Sequence, residues 1–472
     1  MLFPTPLFTC FLVIFLALWW GWGVRGSLRR RWVVLTLGSF VFYSAAFVMG
    51  PLILLVMGTL TYCAEQDLNR WYRTFRRGRG WFWVGVLLTP LLLTKYTAPW
   101  LMQWNEWAVE WGWPLWKVPD WVYPVGLSFI TFHALTRVIQ VWHERVEPAP
   151  WWAVMAQVSA FPALLAGPVS KATQWISDPT LSFQKAPWFE GLMRMGMGMT
   201  FKWVFATQAE KWVQHWKMQE QPGILETWWA LVAYGLQLFF DFAGYSLMAL
   251  AVAGWLGYRL PENFLSPYAS SSLQEFWRNW HRSLSHFFRD HLYIDALGGS
   301  RRGKYMGWLA LTVTMVISGV WHGVGWMFII WGFWHAGGLI LDRLWSESKW
   351  SDVGRQAFMW VWVFWGWVWF QSTDMQEAQR WWVHGWSGEW GVLPDGNALI
   401  WMSLMLGVVA LEKEYAPRLW AWAAQRDGDW SVLSRPIQIQ WTCQMVLLTA
   451  VWAWWLMVLG PVGVPPFIYA GF

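Results

Sequence analysis

His322 is an ionisable residue where the surrounding sequence is otherwise apolar. It ends an uncharged run that begins at Met306, in Ser318-Gly319-Val320-Trp321-His322-Gly323-Val324-Gly325-Trp326. At about 1.5 Å per helical residue, the sixteen steps from Met306 carry it roughly 24 Å from the membrane face where the run starts. An ionisable group at such depth costs several kcal/mol unless it is paired or wetted. Burial disfavours the imidazolium, so this histidine is a proton acceptor near neutral pH. Two readings follow: a general base, or a core histidine satisfied by an indole or a carbonyl.

The second cluster is Phe276-Trp277-Arg278-Asn279-Trp280-His281-Arg282-Ser283-Leu284-Ser285, continuing to Arg289-Asp290-His291-Leu292-Tyr293. On one continuous helix, Trp277, Trp280 and Leu284 share a face and Arg278, His281 and Arg282 share the other. That pattern predicts an amphipathic interfacial helix, either a lipid anchor with snorkelling arginines or a basic wall for an anionic donor. Asp241, between Phe240 and Phe242, needs a cation, water or hydroxyl partner, and an ion pair with a neighbouring arginine is the simpler account. His133 and Arg137, four residues apart, either line a pore or are paired, and His335 reads as structural. No His-x-Glu or Cys/His metal spacing, Walker loop or Gly-x-Ser-x-Gly is present.

The elements holding these residues must be membrane helices. The chain has 472 residues, 56% hydrophobic and only 13% charged, which excludes disorder and an ordinary water-soluble enzyme. Its 51 tryptophans exceed what interfacial belts absorb, and composition offers no physical account of the surplus. Cys10, Cys63 and Cys443 lie in apolar stretches and give no disulfide framework. The +6 net charge sits in short loops between apolar segments, the mark of membrane topology and not of nucleic-acid binding.

Basic clusters at Arg25–Arg31, Arg70–Arg79 and Arg278–Lys304 set the cytoplasmic side. The first apolar stretch, 6–24, has no basic residue before it and stays as a helix with the N-terminus outside. Gly50-Pro51 splits the next stretch into a hairpin. Span 81–98 leads to an outer loop carrying Glu106, Glu110 and Asp120, and 121–142 returns. Pro162 and Gly167-Pro168 make 152–170 a broken or re-entrant element. Stretches 193–213, 225–256, 305–321, 326–345, 356–371, 398–411 and 437–459 complete about ten to twelve crossings, with the C-terminus outside. An acidic loop with Asp374, Glu377, Glu389 and Asp395 follows 356–371. The predicted fold is an all-α polytopic membrane protein with re-entrant and interfacial helices. Residues 1–472 form a single embedded unit: N-terminal helices 1–120, a core 121–345 and C-terminal helices 346–472.

The ordered set Phe-Asp-Phe-Ala-Gly-Tyr-Ser (240–246), Pro-Glu-Asn-Phe (261–264), Phe-Trp-Arg-Asn-Trp-His (276–281) and Trp-His-Gly (321–323) resembles the membrane-bound O-acyltransferase family. Phe161-Pro162-Ala163-Leu164 with Ala166-Gly167-Pro168 is similar to its upstream signature. The likeness is nearest to the bacterial branch of alginate O-acetylases, peptidoglycan O-acetyltransferases and D-alanyl-teichoic-acid exporters. It implies that the family's essential histidine is His322 and that its second prominent histidine is His281. It also implies a thin central region with a tunnel to His322, in a bacterial cytoplasmic membrane. The donor would be a cytoplasmic thioester, acetyl-CoA or an acyl carrier, with no tightly bound cofactor. The acceptor would be an extracytoplasmic polysaccharide or cell-wall polymer, often reached through a separate partner protein. Where many alginate-type relatives have a proline before a Gly-Gly pair, this chain has Asp295-Ala296-Leu297-Gly298-Gly299, so the donor's identity does not carry over.

Acyl transfer from a thioester needs a base for the incoming hydroxyl and donors for the oxyanion. His322 supplies the first; Trp321, Trp326 or glycine-loop amides supply the second. Asp241 and Tyr245 are expected along the tunnel, and Arg278, Asn279, Arg282 and Arg289 on the donor side. D-alanyl transfer, a transporter and a non-enzymatic scaffold of a polysaccharide machine are the competing readings.

Overall fold

The computed structural model describes residues 5–70, 73–120, 123–175, 182–346, 351–392 and 394–426. The predicted crossing at 437–459, Cys443 and the C-terminus lie outside the described residues. Those described are helical with no β-strand, as the hydropathy predicts. They form two compact units, one of residues up to Met195 plus Met248–Pro261, the other of Gly196–Leu247 plus Glu262–Gln425.

The first unit contains α1 (Pro6–Leu18), α2 (Leu28–Ser44), α3 (Gly50–Arg70), α4 (Arg73–Trp111), α5 (Leu127–Trp142), α6 (Trp151–Ser159), α7 (Phe161–Leu164) and most of α8 (Trp188–Met199). The hairpin expected at Gly50-Pro51 is the α2–α3 pair, and the broken element at Pro162 is α6–α7. Its break at Ala160 exposes the amide of Phe161, which donates to Ser39 Oγ at 3.1 Å. The Phe161 ring is then wedged among Phe11, Phe15 and Phe42, with centroids 5.2–5.4 Å apart. Glu106 and Glu110 correct the sequence reading: they belong to α4, which runs 39 residues through Pro90 and Pro99, and not to a loop. Arg137 is paired, donating to Gln157 Oε1 at 2.7 Å and to Glu65 Oε2 at 3.1 Å, while His133 Nδ1 lies 3.2 Å from Ser170 Oγ.

The second unit contains α9 (Thr207–Met218), most of α10 (Ile224–Trp255), α11 (Leu273–Asn279), α12 (Arg282–Phe287), α13 (Lys304–His322), α14 (Trp326–Ser346), α15 (Asp352–Gln371), α16 (Met375–Trp386) and α17 (Gly396–Arg426). The helix α16 stands in the predicted acidic loop. Asp374 caps it by accepting from the Glu377 amide at 2.8 Å, a start signal present in the sequence. By length and composition, three helical stretches among the described residues, Pro6–Gly23, Ile224–Trp255 and Gly396–Gln425, are apolar enough to cross a membrane.

Much of the tryptophan surplus is helix-packing material here. Trp216 stacks on Trp381 at 3.5 Å, Trp365 on Trp382 at 4.3 Å and Trp334 on Trp362 at 4.4 Å. The last pair locks α14 to α15 reciprocally: each indole N–H donates to the other residue's carbonyl, at 2.9 and 3.2 Å. A helical carbonyl already bonded within its helix keeps a second lone pair for such a donor.

α13 and α14 approach closely through glycine. A Cβ at Gly319 would fall 2.1 Å from the Phe328 carbonyl oxygen, and one at Gly332 would fall 2.7 Å from that of Met315. Backbone cannot yield as a flexible side chain can, so the spacing depends on the missing Cβ atoms. Gly325, by contrast, has its nearest neighbour at 4.0 Å. Gly319→Ala is therefore expected to destabilise the protein by about 1–3 kcal/mol through overpacking, whereas Gly325→Ala should leave it almost unchanged. Thermal unfolding of the two variants in detergent micelles checks the contrast; equal effects would refute this account of the helix pair.

Candidate active site

His322 is the last residue of α13 and is 6% exposed. Its ring sits in an aromatic cage, with centroid distances of 4.5 Å to Trp321, 4.9 Å to Phe370 and 5.2 Å to Trp331. A helix C-terminus carries partial negative charge, so the imidazole sits in an apolar cage at the negative end of the α13 dipole.

His281 reaches the same region by a different device. The sequence reading took residues 276–285 as one amphipathic helix, but the helix breaks between α11 and α12. His281 sits at the break in the left-handed conformation, φ 41° and ψ 52°, which a side chain adopts at a cost of about 1–3 kcal/mol. The break resets the helical phase. Trp277, Trp280 and Leu284 consequently line the same cavity as Arg278 and His281, where a continuous helix would place them on opposite faces. His281 is 3% exposed, and burial pushes its imidazole down to about 3, so it is neutral at physiological pH.

The cavity has a volume of about 200 Å³ and holds both histidines. Arg278, Arg289 and Arg343 line it, and among the described residues no carboxylate does. Arg343 of α14 donates to the Tyr293 hydroxyl at 3.4 Å, and Tyr293 also hydrogen-bonds Ser300 Oγ at 2.9 Å. Burial raises the Tyr293 phenol, but those hydrogen bonds and the Arg343 charge outweigh it and leave the group below its ordinary value. Two of the lining hydroxyls are spent on backbone: Ser285 donates to the Trp280 carbonyl at 2.9 Å and Thr314 to the Ala310 carbonyl at 2.7 Å. Ser318, one turn before His322 on α13, also lines the cavity, and among the described residues nothing bonds its hydroxyl.

Of the residues singled out from sequence, the cavity brings together His322, His281, Arg278 and Arg289. The others lie elsewhere. Trp321 meets His322 edge to face without lining the cavity, and Trp326 opens α14 with 66% of its surface exposed. Tyr245 is buried outside it, Asn279 donates to Ser270 Oγ at 3.3 Å, and Arg282 is half-buried, with burial lowering its pKa and Glu262 opposing the shift. Asp241 pairs with a lysine, Lys202, and both are buried. His335 is fully buried between Trp277 and Trp331, each 4.9 Å away. Sequence reading missed Ser318, Tyr293 and Arg343 as cavity residues. The i−4 spacing of Ser318 from His322 was a usable signal; nothing local marks Arg343.

A buried histidine at the end of an apolar helix, facing a basic cavity, is the arrangement the family resemblance implies. Residues 107–372 match the membrane-bound O-acyltransferase family over a range that contains the whole cavity. The chain belongs to that family. A probable alginate O-acetylase of Azotobacter vinelandii is 31% identical over 410 residues, covering 85% of this chain and 82% of the relative. A peptidoglycan O-acetyltransferase of Helicobacter pylori is 31% identical over 236 residues, 47% of this chain and 44% of its own. A teichoic acid D-alanyltransferase of Streptococcus thermophilus is 30% identical over 244 residues, 48% and 58% respectively. The protein is a polytopic membrane acyltransferase of this family, with O-acetyltransferases among its relatives.

For Asp241, the lysine partner predicts a structural role. Asp241→Asn removes the carboxylate that pairs with the buried Lys202 and should cost about 3–5 kcal/mol, while replacing both residues with apolar ones of similar volume should restore most of that. Thermal unfolding measures the cost. Acyl-transfer activity of the stable double variant decides the role, since retained activity removes Asp241 from the chemistry.

Proposed function

We propose that this acyltransferase moves an acetyl group from a cytoplasmic thioester to a hydroxyl of an extracytoplasmic polysaccharide or cell-wall polymer, with His322 as the base. The observation that carries the reading is one cavity lined by His322, His281 and three arginines, with no carboxylate among the described residues. A basic cavity suits a donor whose thioester hangs from a phosphate-bearing arm, as in coenzyme A or a carrier protein's phosphopantetheine. The arginine-rich stretch 278–304 faces the cytoplasm on the positive-inside rule, where such donors are made. The same rule places the N-terminus outside a bacterial cytoplasmic membrane. The alginate and peptidoglycan O-acetylating relatives favour acetyl; the D-alanyltransferase relative supports D-alanyl transfer as the second reading.

The acceptor oxygen attacks the thioester carbonyl while His322 takes its proton. The carbonyl π electrons move onto oxygen, which accepts a hydrogen bond from the Ser318 hydroxyl. Collapse of the tetrahedral intermediate breaks the C–S bond, and the thiolate leaves with the proton from the imidazolium. The balance closes with an ester, a thiol and neutral His322. Arg343 and Arg289 hold the donor's phosphates, and an extracytoplasmic partner presents the polymer or relays the acyl group.

The test compares cells expressing wild-type protein and His322→Ala at matched membrane levels. Mild base releases acyl groups from extracytoplasmic polymer, and mass spectrometry quantifies acetate and D-alanine. Acetate lost only in the variant is expected. Loss of D-alanine instead moves the protein to the second reading, and no change in either, in a host supplying donor and acceptor, rejects acyl transfer through His322. In membranes given a thioester donor, Ser318→Ala should lower kcat about a hundredfold, whereas Arg343→Ala should raise KM for the donor about tenfold with kcat little changed.

A further inference from the structure

The left-handed turn at His281 is held from one side by a single side chain. Asn263 Oδ1 accepts from the Ser283 hydroxyl at 2.7 Å and from the Ser283 amide at 3.4 Å, and its main-chain carbonyl accepts from the Arg282 amide at 2.8 Å. Its Nδ2 donates to Ser246 Oγ on α10 at 3.1 Å. The same Oδ1 lies 3.4 Å from His281 Nδ1. Asn263 is 1% exposed, so this network is closed to water.

The amide orientation and the histidine tautomer follow from one fact. A backbone N–H can only donate, so the Asn263 atom facing the Ser283 amide must be the oxygen. Facing that oxygen, Nδ1 of His281 must carry the proton. Its Nε2 therefore keeps a lone pair, and that atom is buried with no hydrogen-bond partner among the described residues, in a ring that lines the His322 cavity.

We propose that Asn263 is a positioning residue that fixes His281 as its Nδ1–H tautomer, so that Nε2 accepts a hydrogen bond from the hydroxyl that His322 deprotonates. The proposal rests on the acyl-transfer reading and divides the labour of the two histidines. His322 takes the proton; His281, unable to donate from Nε2, does not serve the oxyanion and instead aims the nucleophile. Holding that hydroxyl in line is worth more than its binding energy, because small misplacements of a reacting atom slow the chemistry steeply. The network also gives three separated sequence motifs one purpose: Ser246, Asn263 and His281 come from the segments 240–246, 261–264 and 276–281.

The experiment is a double-mutant cycle on the full-length protein in membranes, with acetyl transfer from a thioester to a polymer hydroxyl as the readout. Asn263→Ala should lower kcat about a hundredfold with KM for the donor little changed, and so should His281→Ala. The double variant should lose no more than His281→Ala alone, because Asn263 acts through that ring. Asn263→Asp keeps the oxygen acceptor, while Ser246 can donate in turn, so it should recover most of the rate. Thermal unfolding identifies any variant that fails to fold, and Asn263→Asp then carries the comparison. Losses that multiply in the double variant, or an Asn263→Asp rate no better than that of Asn263→Ala, would overturn the proposal. A wild-type protein with no transfer, or one unaffected by His322→Ala, would overturn the acyl-transfer reading itself.

Discussion

In hydrocarbon, a polar group has no water to turn to, so its partner must come from the protein. Much of this structure is the working out of that constraint. Arg137 links Glu65 and Gln157 across three helices of the first unit, and Lys202 pairs with Asp241 in the second. A tryptophan-rich chain faces the same demand many times over, because every indole brings an N–H. Donation to carbonyls of neighbouring segments, as between Trp334 and Trp362 or from Trp20 to Trp255, converts it into interhelical linkage. The demand is not met everywhere: among the described residues several indoles, Trp277, Trp331, Trp365, Trp369, Trp381 and Trp382 among them, keep a buried N–H without a hydrogen bond.

The site depends on two departures from regular helix, and each has a local cause. α13 ends at His322 after passing α14 at a distance that only glycine at 319 and 332 permits. α11 ends where His281 turns left-handed and Asn263 collects the amides that the turn releases. Without the first, the cage of Trp331 and Phe370 could not close on the imidazole; without the second, Trp280 and His281 would not line one cavity. Both breaks open onto the same cavity, which His322 and His281 line together.

What the sequence made legible was what hydrophobic period and charge can encode. The all-helical class, the α2–α3 hairpin, the broken element at Pro162 and the placement of His322 at the end of an apolar run were all visible in residue order. The left-handed break at His281 was not, because Trp277, Arg278, Trp280 and Leu284 fit a continuous amphipathic period equally well. Glu106 and Glu110 misled for a related reason: acidic residues mark the outside of a membrane without marking the end of a helix, and α4 continues past them. Arg343 was invisible in a different way. Its place in the cavity depends on α14 packing beside α11, a relation between distant segments that no local spacing carries.

The chemistry assigned to this cavity also bears on why its polar groups are so unequally committed. Thr314 and Ser285 spend their hydroxyls on backbone carbonyls and serve as packing, while Ser318 on the same face of α13 as His322 remains open to the cavity. Asn263 accepts at Oδ1 and donates from Nδ2, and leaves a lone pair on its neighbour His281. An unspent donor near one imidazole and an unspent acceptor on another cost stability in an empty, buried site, since each forgoes a hydrogen bond it would make in water. That cost is recovered when a substrate supplies the complementary groups.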